Sequence, residues 1–328
     1  MDKKKQLSFI AEICQNHQGK FYNMQKMVEE CVSAGANIIK AQYIFSKNLT
    51  YRPIFDEGLK IKNKLFSIKR PYHIEKKRLK KLDLKKKDYE KFVKICENLK
   101  VKPMITCFAR EHINELKNMG FKSIKVASYD CSSFQLIREL KSNFKKLIIS
   151  TGATFDNEIK YTANILKNYP FVLMHCVSIY PTPKDFLNLN RIKFLKKLCK
   201  DVGYSDHSSS LDNKKNLACL AAITAGATYI ERHITILDKD KTRDGKVSIN
   251  PSEIKEIIKF SRLNNKDKKE YLKEKYKVNV DKLYGKEKRE LTNIELLNRD
   301  YYKGRFASNV SRDGLKFINN WDETKLNV

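Results

Sequence analysis

Two short strings, Gly203-Tyr204-Ser205-Asp206-His207 and Glu231-Arg232-His233, each set a histidine at the end of a β-like run. Residues 202–204 lead into the first and residues 227–230 into the second. Two imidazoles brought together, with Glu231, Asp206 and Asp244 nearby, could hold a divalent ion and leave positions open for water or substrate. The plainer alternative is that strand-end histidines only hydrogen-bond neighbouring loops. A second group points to anion chemistry. Lys40 and Lys125 stand inside otherwise apolar strands, where an uncompensated ammonium is costly, so each needs an anionic partner such as phosphate or carboxylate.

The elements that must position these residues follow from periodicity. Between the two histidine strings, residues 214–225 read as a helix with Leu217, Leu220, Ala221 and Ala225 on one face. Strand, helix and strand of this size form a right-handed βαβ unit, which puts both strand C-termini at one edge of a parallel sheet. Further strands are read at residues 7–13, 37–42, 102–107, 123–128, 146–150 and 171–176, with helices between them and a last helix at 252–262. Residues 43–84 lack a clean period and read as an extended loop with short helical pieces, of the kind that shapes a site. Eight strands alternating with helices predict an α/β fold, a (β/α)8 TIM barrel, whose chemistry sits at the C-terminal strand ends. Polar residues collect there: Glu12, Lys40, Gln42, Thr106, Lys125, Ser128, Ser150, Ser178, Ser205, His207, Glu231 and His233.

Composition narrows the classes. A chain of 328 residues with 41% hydrophobic content accommodates one such barrel and a short appendage. No run reaches the roughly 18 apolar residues of a membrane span, and the chain passes from Lys3-Lys4-Lys5 straight into a strand without a signal-type apolar region. A soluble, cytoplasmic protein with no membrane partner is expected. Cysteines 14, 31, 96, 107, 131, 176, 199 and 219 are scattered without a CxxC pair, so reduced and mostly buried thiols are the default. The net charge of +29 attracts anions, but it is carried mostly by lysine, spread over most predicted elements, and not interleaved with exposed aromatics. It reads as a solvated surface, with no nucleic-acid partner.

The ordered series Ile10-Ala11-Glu12-Ile13 with Asn16-His17-Gln18-Gly19, Lys40-Ala41-Gln42, Lys125-Val126-Ala127-Ser128, Ser150-Thr151-Gly152, His175-Cys176, Tyr180-Pro181-Thr182-Pro183, and the two histidine strings resembles the N-acetylneuraminate (sialic acid) synthase family over about residues 7–260. The resemblance implies condensation of phosphoenolpyruvate with an N-acylated amino-sugar aldehyde, giving a nonulosonic acid and phosphate. It implies His207 and His233 as ligands of a divalent metal such as Mn2+, with Mg2+ or Co2+ as alternatives, polarising the aldehyde as a Lewis acid. Lys40, Thr106, Lys125, Ser128, Ser150 and Ser205 match positions that hold phosphoenolpyruvate. Glu12 and Asp244 match acidic residues that move protons or position the sugar and the attacking water. Gln42, Ser178, Tyr180 and Glu231 fall to substrate binding, the last two along the sugar pocket. A homodimer is implied as well.

Three departures accompany the match. The middle residue of Lys40-Ala41-Gln42 is smaller than usual, and Ser178 stands where asparagine or another polar residue commonly meets substrate. Family members usually continue into an antifreeze-like domain that lends an arginine to the partner's sugar site, but the C-terminal extension here does not read as that complete domain. The expected division is a barrel over residues 1–263, a Lys-rich linker or helix over 264–288, and a short tail over 289–328 serving as lid, dimer contact or disordered end, with Arg299 or Arg305 standing in for the arginine. Two other readings keep the barrel: a lyase using Lys125 or Lys40 as a Schiff base, and a catalytically impaired binding or scaffold protein.

Overall fold

The computed structural model describes residues 6–277, 280–308 and 318–319. Eight parallel strands form the ring: β1 Ser8–Glu12, β2 Ile38–Tyr43, β3 Lys102–Cys107, β4 Ser123–Val126, β5 Lys146–Ser150, β6 Phe171–His175, β7 Asp201–Asp206 and β8 Tyr229–Ile234. Each pairs with the next, and β8 returns to β1 with Ser8 opposite Tyr229 and Glu12 opposite His233. Helices such as Phe21–Ser33, Lys86–Asn98, Phe134–Asn143 and Leu217–Thr224 cover the outside, so the fold is the (β/α)8 barrel that the alternation of elements predicts.

Strand period sorts the side chains into two environments. Outward positions such as Phe9, Ala11, Ile39, Ile105, Ile124 and Ile149 pack under the helices with Met24, Met27, Phe92 and Ile137. Inward positions Ile10, Ile38, Met104, Ile148 and Tyr229 join Val172 and Met174 in a separate apolar plug. Two residues further along the same strands, the inward positions are Glu12, Lys40, Thr106, Ser150 and Glu231, all nearly or fully buried. A charged floor therefore lies directly above an apolar plug.

One region differs from expectation and two others gain detail. Residues 43–84 contain an antiparallel hairpin, Leu59–Ile61 with Lys64–Ser67, and a nine-residue helix, Tyr72–Lys80. The hairpin turns through Lys62 and Asn63, both at positive φ, and leaves Leu59, Ile61, Leu65 and Phe66 exposed; without a buried face it shows no alternation to read. Within the stretch read as a lysine-rich linker or helix, helix Asn265–Tyr276 buries Leu272 and Tyr276 in the outer apolar shell, and Tyr271, Lys275 and Tyr276 all reach Glu256 Oε1. Finally, helix Asn293–Tyr302 opens with a reciprocal Thr292–Glu295 cap and lies over the barrel mouth. Residues 309–317 and 320–328 of the expected tail lie outside the described residues. No helix among the described residues is long and apolar enough to cross a membrane.

Candidate active site at the C-terminal mouth of the barrel

The floor of the mouth is a buried lattice of charges. Lys40 Nζ is ion-paired with Glu12, lies 3.6 Å from Glu231 Oε1 and donates to Thr106 Oγ1 at 3.2 Å. Lys125 Nζ donates to Ser150 Oγ at 2.7 Å and lies 3.4 Å from both Glu231 oxygens, while Ser205 Oγ donates to Glu231 at 3.1 Å. Both lysines thus find their anionic partners within the chain, where the sequence reading looked to a bound phosphate or carboxylate. Glu231, which the resemblance places along the sugar pocket, is buried between the two lysines. Burial pushes its pKa up, but Lys125 and Lys40, with His207, more than offset this and hold the carboxyl below its usual range. Burial, reinforced by Lys125, pushes the Lys40 ammonium down to about 7 against the pull of Glu231.

Beside this floor, Ser128 Oγ lies 3.0 Å from Cys176 Sγ. Gly152 follows Ser150-Thr151 in a turn that admits no side chain: a Cβ there would come 2.5 Å from Ser178 Oγ and 2.7 Å from Cys176 Sγ. Gln42 is half-buried at the end of β2, in register with Thr106, and its carbonyl accepts from Tyr89 Oη at 3.0 Å.

The two histidines stand together, as the βαβ argument predicts. Their ring centroids are 5.5 Å apart, and the half-exposed Tyr180 lies 4.3 Å from His207. His207 Nδ1 faces the Val177 carbonyl at 3.0 Å; with its proton there, Nε2 keeps a free lone pair. His233 lies inside β8, and its Nδ1 is buried without a hydrogen-bond partner. Burial lowers the pKa of both imidazoles, as metal ligation requires. A divalent ion fits this donor set: two neutral imidazoles, one with an orphaned nitrogen.

The same geometry adds one neighbour and removes another. Cys14, just beyond β1, brings its sulfur 2.8 Å from Asp244 Oδ2, and ligand atoms of Cys14, His233 and Asp244 all lie within 4.8 Å of one another. The sequence offered only a lone buried thiol at this position, with no spacing signal to single it out. Asp206, by contrast, points out of the barrel. It pairs with the fully buried Arg232 at 2.7 Å and accepts from Tyr204 Oη, Ser208 N and Cys219 Sγ at 3.2, 2.8 and 3.1 Å. Arg232 also reaches Ser208 Oγ at 3.2 Å and the Lys215 carbonyl at 3.3 Å. This outward cluster ties together the loops that follow β7 and holds both histidine strings in place.

The C-terminal helix closes the mouth from above. Asn298 Nδ2 donates to the Ser178 carbonyl at 2.9 Å, and Arg299 donates to the Ala153 carbonyl at 2.7 Å and to Glu158 at 2.6 Å. Tyr302 stacks on Tyr129 with centroids 4.7 Å apart. Beyond it, Arg305 pairs with Glu75, which also holds Arg78, and Arg52 donates to the Lys303 carbonyl at 2.8 Å. Arg299 and Arg305 are therefore bound to carboxylates of this chain.

Comparison with known proteins agrees with the reading that this geometry invites. The profile of the NeuB family matches residues 27–272. The chain is 30% identical over 260 residues to the N,N'-diacetyllegionaminic acid synthase of Campylobacter jejuni, covering 76% of this chain and 74% of that protein. It is 28% identical to a pseudaminic acid synthase of the same species, covering 77% and 72%. The crystal structure of N-acetylneuraminic acid synthetase from Leptospira borgpetersenii, in complex with citrate, superposes with a TM-score of 0.65 at 25% identity, covering 90% of this chain and 91% of that one.

Proposed function

The chain belongs to the NeuB family, and on that premise we propose that it condenses phosphoenolpyruvate with an N-acylated amino-sugar aldehyde to a nonulosonic acid and phosphate. It is an enzyme of the synthase type, forming a C–C bond from phosphoenolpyruvate. The observation that carries the reading is the buried pair Lys40 and Lys125, bridged by Glu231 and ringed by Thr106, Ser150 and Ser205, beneath two neutral histidines.

In this reading Lys40 and Lys125, with Thr106, Ser128, Ser150 and Ser205, hold the phosphate and carboxylate of phosphoenolpyruvate. The floor is balanced when empty, two ammonium groups against Glu12 and Glu231, so the entering anion displaces carboxylates from the lysines. Glu12 and Asp244 then move protons or position the attacking water, and Gln42, Ser178 and Tyr180 meet the sugar. His207 and His233 would hold a divalent metal, Mn2+ by family resemblance, which supplies a Lewis acid for the aldehyde and offsets the added negative charge. Residues 1–263 form the synthase barrel, 264–288 a lysine-rich connection and 289–328 the segment over its mouth; the working form is a cytoplasmic homodimer.

The test is phosphate release from phosphoenolpyruvate with Mn2+ across a panel of aldehydes, including N-acetylmannosamine, its 6-phosphate and 2,4-diacetamido sugars. Release with one sugar, abolished by chelation, is expected; release from phosphoenolpyruvate alone, or none with any sugar, overturns the reading. The lowered pKa of Lys40 favours a second one, a Schiff-base lyase. Borohydride trapping of a pyruvate adduct on Lys40 would select it.

A further inference from the structure

We propose that Cys14 is a direct ligand in the metal site, its thiolate joining His233 and Asp244 in a mixed sulfur, nitrogen and oxygen donor face. The inference rests on the metal-dependent reading above and adds to it a residue and a metal preference.

Three independent features converge on Cys14. Its sulfur and the ligand atoms of His233 and Asp244 lie within 4.8 Å of one another. Bonds of about 2.0–2.3 Å to one central ion fit within that span, with the wider separations closing and the 2.8 Å Cys14–Asp244 contact opening as the ion enters between them. His233 Nδ1 is buried with no hydrogen-bond partner, so one member of the cluster carries an unused nitrogen. The backbone of Cys14 adopts φ of 51°, a left-handed conformation that disfavours a residue with a Cβ and persists where the surroundings impose it. What imposes it is visible: Cys14 N donates to Glu12 Oε1 at 2.6 Å, tying the turn to the charged floor and aiming the sulfur at Asp244.

Sulfur changes which ion the site favours. Imidazole and carboxylate accept Mn2+ or Mg2+ readily, whereas thiolate favours softer ions such as Zn2+ and Co2+. Binding transfers the thiol proton to solvent as the sulfur–metal bond forms, so the gain appears as metal-coupled proton release.

The experiment uses metal-free full-length protein titrated with Co2+, followed by near-ultraviolet absorption for thiolate-to-cobalt charge transfer, with Mn2+ affinity measured in parallel by calorimetry. The wild type should develop the band at one equivalent. Cys14→Ser should bind Co2+ without the band and at least 10–100-fold more weakly, the loss already typical of an outer-sphere partner, while Mn2+ affinity changes less. Cys14→Gly, which suits the left-handed backbone, repeats the test if the serine variant misfolds. Tight Co2+ binding by the wild type without the band, or a band that survives in both variants, overturns the role of Cys14 and leaves the histidine site standing. No Co2+ or Mn2+ binding by the folded wild type overturns both.

Discussion

β8 carries two buried charges side by side, and they serve opposite ends. Arg232 faces out of the barrel, where Asp206, Ser208 and the Lys215 carbonyl take up its two terminal nitrogens while Nε has no partner. Glu231 faces in, shared between two lysines and Ser205, with His233 beyond it carrying an unpartnered nitrogen. Both groups are almost wholly buried, so burial of charge does not distinguish scaffold from site. Surplus does: the outward cluster closes one cation on one anion, whereas the inward one gathers two lysines, two carboxylates and two imidazoles beneath the barrel mouth.

Arg232→Leu should cost the most. It strands Asp206 in an apolar shell, and loss of about 3–5 kcal/mol in unfolding free energy is expected, read from the urea midpoint. A loss below about 1 kcal/mol would make the outward pair dispensable and erase the contrast. Lys125→Met should act on the other side of the strand. Glu231 keeps Lys40 and Ser205, so stability falls by less than half as much as in Arg232→Leu, while phosphate release falls on the order of 10²–10³-fold.

A finer distinction comes from pH. Burial holds Lys40 near 7, below its value in the unfolded chain, so the unfolded state binds the extra proton between about pH 7 and the ordinary lysine range. Stability from this group therefore rises as pH climbs through that window, and the burden of a buried ammonium is fully present below it. Phosphoenolpyruvate binding should run the other way. With the phosphate already fully ionised above its second pKa of about 6, affinity should weaken as pH rises from 7 to 9, with proton uptake on binding. Calorimetry in buffers of different ionisation enthalpy measures that uptake, and pH-independent affinity would show that Lys40 stays charged throughout. The smallest effect belongs to Cys219→Ala, which removes one hydrogen bond from Asp206: about 1 kcal/mol in stability and no change in turnover are expected.

Much of this arrangement was legible in the amino-acid order. Alternation of strands with helices announced the barrel, and lysines inside apolar strands announced buried anionic partners. What sequence could not decide was the side of the strand on which each acid falls. Asp206 and Glu231 both neighbour a histidine string, yet the pleat sends one into the shell and the other into the floor. Cys14 was silent because its role depends on Asp244, 230 residues away. The contacts of the cap over the mouth were unreadable for a related reason: Asn298, Arg299 and Arg305 find partners on loops and helices far back in the chain, and no local pattern encodes them.

The pairing of β8 with β1 also has a bearing on synthesis. A ribosome delivers Lys40 and Lys125 long before Glu231, and the ring cannot shut until residues 229–234 meet residues 8–12. Until that moment both ammonium groups have open water to hold them, and the first strand has an open edge. Desolvation of the lysines and arrival of their shared carboxylate thus fall in one event, which makes closure of the ring an all-or-none step taken only when nearly the whole barrel has emerged.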